Sequence, residues 1–278
     1  AYVRADANVD FAVENTVDGA FFNSGQSCCG IERIYVHESL FDSFVEKFVE
    51  TARGYVLGDP LDPATTLGPM VKTSAADFVR GQIAAAVQAG ATAHLDPKDF
   101  AANKEGTPYL APQVLTNVTH DMSVMTEESF GPVVGIMKVS GDEEAVRLMN
   151  DSAYGLTASI WTRDTRKGKE MANIIKGGVV NINDHLYTHA MSDIPWGGPD
   201  ESGIGRTHGP EGLKEMTKTK VVNWDWLGAK RNLWWYPQDR ATYNALRHAL
   251  HLVAPRSVWD FLKASAGLLP VMVRKMYF

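Results

Sequence analysis

Between residues 133 and 182, apolar runs and helical spacings take turns. Residues 133–139, 157–161 and 179–182 are apolar runs of strand length, while 142–149 and 165–175 place apolar residues at helical intervals. Strands separated by single helices require crossover connections, which lay the strands parallel in one sheet. The N-terminal part follows the same pattern. Asn8 caps a predicted helix carrying Val13, Val17, Ala20 and Phe21 on one face, and residues 31–36 read as a short buried strand. Ser39, with Asp42 three residues on, has the form of a capping box opening a helix with Phe41, Val45, Phe48 and Ala52 on one face. Another helix is expected over 74–89, stopped by Gly90, and Gly58-Asp59-Pro60 and Asp62-Pro63 are loop chemistry. After the glycine-rich stretch 197–209, residues 213–226 read as a helix end followed by a strand. The expected fold class is α/β, a mostly parallel sheet with flanking helices, plus a helical C-terminal tail.

The tail differs in composition from what precedes it. Residues 229–278 hold eight Lys/Arg against two Asp, a net of +6, which leaves −12 for residues 1–228 within a total of −6. Trp234, Trp235 and Trp259 are concentrated there, so two modules are expected, 1–228 and 229–278. From Leu233 on, Tyr243, Leu246, Leu250 and Val253 fall at helical spacing; residues 257–278 are apolar but interrupted by Gly267 and Pro270. The uncharged stretch 264–273 is shorter than the roughly 20 residues that cross a bilayer. Packing on a partner subunit or on the parent domain is one use of such a tail. A membrane-surface helix rich in Trp and basic residues is the other. The acidic balance excludes a general nucleic-acid binder, because phosphate neutralisation needs excess Lys and Arg. Residues 1–10 carry alternating charges without an apolar stretch, so no secretory leader is expected there. The chain opens on Ala1 rather than Met, as a piece of a longer product would.

Candidate chemistry centres on Phe21-Phe22-Asn23-Ser24-Gly25-Gln26-Ser27-Cys28-Cys29, which contains both cysteines of the chain. Two adjacent thiols with no third cysteine cannot make a disulfide framework or a four-sulfur metal site, and a reducing, cytoplasmic setting is expected. A cysteine taken alone is most plainly a small buried hydrophobe. The sharper use is a nucleophile, which must be accessible and at least partly thiolate, with help reaching it through space because Arg33 is the nearest cation in sequence. His185 and His189 stand four apart without a third ligand, so no metal site is expected. No G-x-S-x-G elbow and no strand followed by G-x-G-x-x-G is present, and the loop 203–209 lacks the glycine spacing of a phosphate loop.

Gly25-Gln26-Ser27-Cys28-Cys29 after Phe22-Asn23 resembles the cysteine signature of the aldehyde dehydrogenase superfamily. Glu127-Glu128-Ser129-Phe130-Gly131-Pro132 looks like its EExFGP motif, and Asn150-Asp151-Ser152-Ala153-Tyr154-Gly155-Leu156 like its N-x-x-x-Y-G-L segment. Pro195-Trp196-Gly197-Gly198 with Ser202-Gly203-Ile204-Gly205-Arg206 is similar to its PFGG…SGxGR loop, with Trp in the usual Phe place. These matches run in order over roughly residues 1–225. The resemblance implies NAD(P)-dependent oxidation of an aldehyde to a carboxylic acid, with Cys28 as nucleophile through a thiohemiacetal and a thioester. It also implies NAD or NADP bound in part by Glu128 and Phe130, and a substrate pocket with Ser27, Cys29 and Trp196. Asn183 is expected to support the site by hydrogen bonding. The family's dinucleotide-binding domain, an oxyanion-hole Asn and the Glu that activates the deacylating water would stand upstream of Ala1, so the chain is expected to be the catalytic portion, holding the nucleophile and half of the cofactor grip but not the general base, and its activity alone is left open. A homo-oligomer is expected, with residues 219–226 as the strand shared between subunits. A non-catalytic assembly or membrane-surface piece and a cofactor-independent thiol esterase are the alternatives.

Overall fold

A computed structural model describes residues 1–226, 228–232, 235–236 and 238–278. In chain order the elements are β1 (Tyr2–Val3), α1 (Val9–Phe21), β2 (Arg33–His37), α2 (Phe41–Arg53), α3 (Thr73–Gln88), β3 (Thr92–Ala93), β4 (Gln113–Thr116) and α4 (Ser123–Thr126). There follow β5 (Val133–Val139), α5 (Asp142–Asn150), β6 (Thr157–Trp161), α6 (Thr165–Ala172), β7 (Val179–Ile182), α7 (Gly209–Glu215), α8 (Arg240–Val253) and α9 (Val258–Tyr277). The strands form one seven-stranded sheet in the order β3-β4-β5-β2-β1-β6-β7. All pairs are parallel except β3 with β4.

Both faces of the sheet are covered, as a parallel sheet requires. Side chains alternate along each strand, so Val3, Ile34 and Val36 pack under α1 and α2 with Phe21, Phe44 and Phe48. Tyr2, Tyr35 and Ile160 point the other way, into a second layer with Val79 of α3, Met125 of α4, Leu148 of α5 and Met171 of α6. At about 25 cal/mol per Å² of apolar surface, such fully buried aromatic and branched side chains carry the main stabilising term.

The runs 133–139, 157–161 and 179–182 are strands with the expected bounds, and α1 is capped by Asn8, whose side chain accepts from the N–H of Phe11. Three features differ. Ser39 does not cap α2; its hydroxyl pairs with His37 Nδ1 at 2.8 Å, and Leu40 stands at the cap position without a side-chain bond. Gly267 and Pro270 do not interrupt the tail helix: α9 runs through both. The strand expected at the end of residues 213–226 is not formed among the described residues. β1, β3 and β4 have no signature in the sequence, being two to four residues long with no alternation to read.

The chain divides into a unit Ala1–Lys218, which contains the whole sheet, and a unit Thr219–Phe278, which contains α8 and α9. In the second unit α8 and α9 form an antiparallel pair around Ala245 and Leu268. Leu233 and Trp234, singled out in the sequence, lie outside the described residues. No helix among the described residues is long and apolar enough to cross a membrane.

Candidate active site

Four of the parallel strands are entered from the same edge of the sheet, and the chemistry-bearing motifs occupy those entries. Cys28 precedes β2, Glu128 precedes β5, Gly155 precedes β6 and Gly178 precedes β7. Motifs distant in sequence meet because consecutive βα units return the chain to this edge each time. Between them lies a cavity of about 290 Å³ whose lining includes Ser27, Cys28, Cys29, Glu128, Tyr154 and His185.

The turn that carries the cysteines is held from several sides. After α1 the backbone passes through Asn23, Ser24 and Gly25 at φ 52°, 57° and 72°, a left-handed run that non-glycine residues adopt only when their surroundings enforce it. The Asn23 amide donates to the Gln26 carbonyl, and the Ser24 hydroxyl donates to the Gly68 carbonyl. Gln26 donates to the carbonyls of Asn23 and Pro69 and accepts the N–H of Val71 at 2.7 Å. At Gly25 a Cβ would stand 2.0 Å from the Gly131 carbonyl oxygen, so only glycine lets the cysteine turn lie against the loop carrying Glu128. A bond from Gly30 N–H to the Ser27 carbonyl closes a four-residue turn with the two cysteines at its corners. Adjacent corners face differently: Cys28 is exposed, and Cys29 is buried with its sulfur 3.4 Å from Ser27 Oγ. Burial pushes the Cys29 thiol up.

The loop 127–132 is anchored by Glu32, a residue that no motif in the sequence marks. Both Glu32 carboxylate oxygens accept the N–H of Ser129, at 3.0 and 3.1 Å, and one also accepts the N–H of Phe130 at 3.0 Å. Burial pushes the Glu32 carboxyl above its usual range, partly offset by these N–H groups. The clamp holds Phe130 at φ 49°, and the loop leaves Glu128 and Phe130 exposed. Glu128 lines the cavity with Cys28 and also a neighbouring groove with Phe130, Gln26 and Phe78. Arg33 lines the cavity too, but its guanidinium donates to the Met125 carbonyl and the Ser152 hydroxyl, which ties the entry of β2 to those of β5 and β6.

The opposite wall joins the tyrosine-glycine and glycine-rich segments. Gly155 N–H donates to the Ser202 hydroxyl, Gly178 N–H donates to the Gly155 carbonyl, and a Cβ on Gly178 would stand inside the Gly197 backbone. His185 reaches into the lining, with Nε2 3.2 Å from Asp18 and its ring beside Gly19, where a Cβ would come within 2.8 Å. Trp196 is placed differently from the expectation. It is buried in the glycine-rich loop, exchanges two backbone bonds with Thr207 and stacks edge-on against His189, outside the lining of the cavity. Asn183 supports the end of β6, its amide accepting from and donating to the Thr162 backbone. Nothing local in sequence signals the roles of Glu32 or His185, because their partners lie about 100 and 167 residues away; Glu32 stands four positions after Cys28, which places it on the same strand entry.

Among known proteins, the sequence profile described as "Aldehyde dehydrogenase family" matches residues 1–222. The chain is 40% identical over 223 residues to an aldehyde dehydrogenase of Davidiella tassiana, covering 80% of this chain and 44% of that protein. It is 35% identical to succinate-semialdehyde dehydrogenase [NADP(+)] 1 of Mycobacterium ulcerans, covering 81% and 48%. Among solved structures it superimposes on betaine aldehyde dehydrogenase of Staphylococcus aureus in complex with NAD+ with a TM-score of 0.71 at 33% identity, covering 81% of this chain and 46% of that one. The chain thus spans about half the length of the curated relatives it matches.

Proposed function

Because the chain belongs to the aldehyde dehydrogenase family and presents an exposed Cys28 over a cavity rimmed by Glu128, we propose that it supplies the nucleophile and part of the cofactor grip for NAD(P)-dependent oxidation of an aldehyde to a carboxylic acid. The observation that carries this reading is the unequal placement of the two thiols. Cys28 attacks the aldehyde carbon as thiolate and forms a thiohemiacetal, whose oxyanion requires hydrogen-bond donors; the Cys28 backbone N–H is assigned that role. NAD or NADP, when bound, supplies the hydride acceptor that converts this adduct into a thioester. Water then cleaves the thioester, releasing the acid and restoring the thiol. Ser27 and Cys29 form the pocket wall beside the sulfur, and burial withdraws the Cys29 thiol from attack on a substrate.

The residues suit a nicotinamide-ribose. Glu128 offers a carboxylate acceptor for ribose hydroxyls, and Phe130 offers an aromatic face two residues away, on the loop whose Ser129 and Phe130 N–H groups Glu32 accepts. The named relatives include an NADP+ enzyme and a structure holding NAD+, so both cofactors enter the proposal. The exposed apolar residues Val221, Val222, Trp224 and Trp226 suit an edge strand completed by a second copy of the chain, and a homo-oligomer is proposed on that ground.

Two measurements on one preparation test the chemistry. Iodoacetamide should alkylate Cys28 in the native chain and Cys29 only after unfolding. Aldehyde-dependent reduction of NAD or NADP should fall roughly a thousandfold or more in Cys28→Ser. Reduction that survives this change, or alkylation of Cys29 first, overturns the proposal. Ester turnover that needs Cys28 but no nicotinamide would instead assign a thiol esterase.

A further inference from the structure

We propose that the outward face of α9 docks on an anionic phospholipid surface. The helix has two apolar faces. One, with Leu268 and Val271, packs on Ala245, Leu246 and Ala249 of α8. Gly267 lets the two helices close, since a Cβ there would meet the His248 ring at 2.5 Å. The other face is a stripe of Val258, Leu262, Leu269 and Val273, spaced four, seven and four residues apart, and all four are exposed. Such a second apolar face has no partner within the α8–α9 pair, and hydrophobic burial favours covering it.

Charge selects what covers it. Trp259, Lys263 and Arg274 each follow a stripe residue by one position and so flank the stripe on one side, exposed. Asp260, the only acid of α9, faces away toward the α8–α9 connection, where it accepts the N–H of Arg256 and stands 3.5 Å from His251. Arg274 also reaches Asp239, the N-cap of α8, at 3.4 Å while remaining largely exposed. Lys263 and Arg274 border the stripe, so stacking two such α9 faces would set like charges against each other. A bilayer with anionic headgroups satisfies both features at once. Its acyl boundary takes the stripe, its headgroups pair with Lys263 and Arg274, and Trp259 sits at the interface between them. The helix lies on such a surface and does not span it.

Sedimentation of the full chain with vesicles of phosphatidylcholine, with and without phosphatidylserine, tests the docking. The expected result is binding to the serine-containing vesicles that weakens in high salt. The double change Leu262→Glu/Leu269→Glu should lower that binding by about tenfold or more, with helix content by circular dichroism unchanged. Lys263→Glu, which leaves both apolar faces intact, should weaken binding to the anionic vesicles alone. No binding, equal binding to neutral vesicles, or a stripe variant that binds like the parent overturns the proposal. A stripe variant that alters the oligomeric mass and leaves vesicle binding unchanged overturns it too, and assigns the face to a second copy. These readouts need no aldehyde or nicotinamide, so they stand apart from the outcome for Cys28.

Discussion

Glu32 shows how one buried carboxylate organises a site that it does not enter. Its oxygens satisfy two backbone N–H groups of the loop that carries Glu128 and Phe130, and that contact holds Phe130 in a left-handed conformation costing about 1–3 kcal/mol. Removing it orphans both donors, of which Ser129 is buried. Glu32→Ala is therefore expected to destabilise the unit Ala1–Lys218 by about 2–4 kcal/mol in urea unfolding, with Glu32→Gln closer to the parent because it keeps one acceptor. An alanine variant as stable as the parent would show that the clamp carries no weight. The cysteine pair makes a related point: two identical side chains, one residue apart, acquire different chemistry because a single turn exposes one and buries the other.

At the scale of elements, the short strand β1 is secured by charge as much as by packing. Arg4, just past it, holds Asp142 at the start of α5 and Asp6, while Asp6 accepts from the Thr162 hydroxyl and the N–H groups of Arg163 and Asp164 between β6 and α6. Burial pushes both carboxyls up, but hydrogen bonds and the Arg4 guanidinium outweigh it and leave both below their usual range. A depressed native pKa contributes stability that is present above the unfolded value, near 4, and is lost as pH falls through the native value. Glu32 has the opposite sign, its contribution being present at low pH and lost as pH rises through its raised value. Acid should therefore lower the thermal midpoint between about pH 5 and pH 2, and Asp6→Asn/Asp142→Asn should flatten that slope. A double variant that keeps the parent slope would remove these two carboxyls from the account. The capping pattern at Ser39 failed for a local reason: His37 Nδ1 lies close enough to take the hydroxyl that would have capped α2. In α9 the interruptions at Gly267 and Pro270 did not materialise because the apolar face against α8 outweighs the lost bond at Pro270.

Across the whole molecule, a unit holding one complete sheet is followed by a helical unit of opposite charge balance. The change of composition placed at 229 in the sequence falls inside the second unit, which begins at Thr219. Residues 218–226 are exposed and belong to no helix or strand among the described residues. Trypsin should therefore cut first at Lys218 or Lys220, leaving a fragment of residues 1–218 or 1–220 that unfolds as one cooperative transition. First cuts inside α1 to α6 would contradict the division into two units.

Apolar runs and helical spacings were enough to determine the α/β class, the parallel sheet and the central strands, because those signals are local and repeat along the chain. The family motifs likewise sit in contiguous stretches, which is why Cys28, Glu128 and Phe130 stand out as candidates from the sequence alone. Tertiary structure alone decided that these motifs share one edge of the sheet and that Glu32, Arg33 and His185 belong to the same cavity. It also placed Trp196 in a buried loop ladder rather than in the cavity lining. Those outcomes depend on contacts between residues as far apart as 167 positions, and no periodicity or short motif encodes a contact at that range.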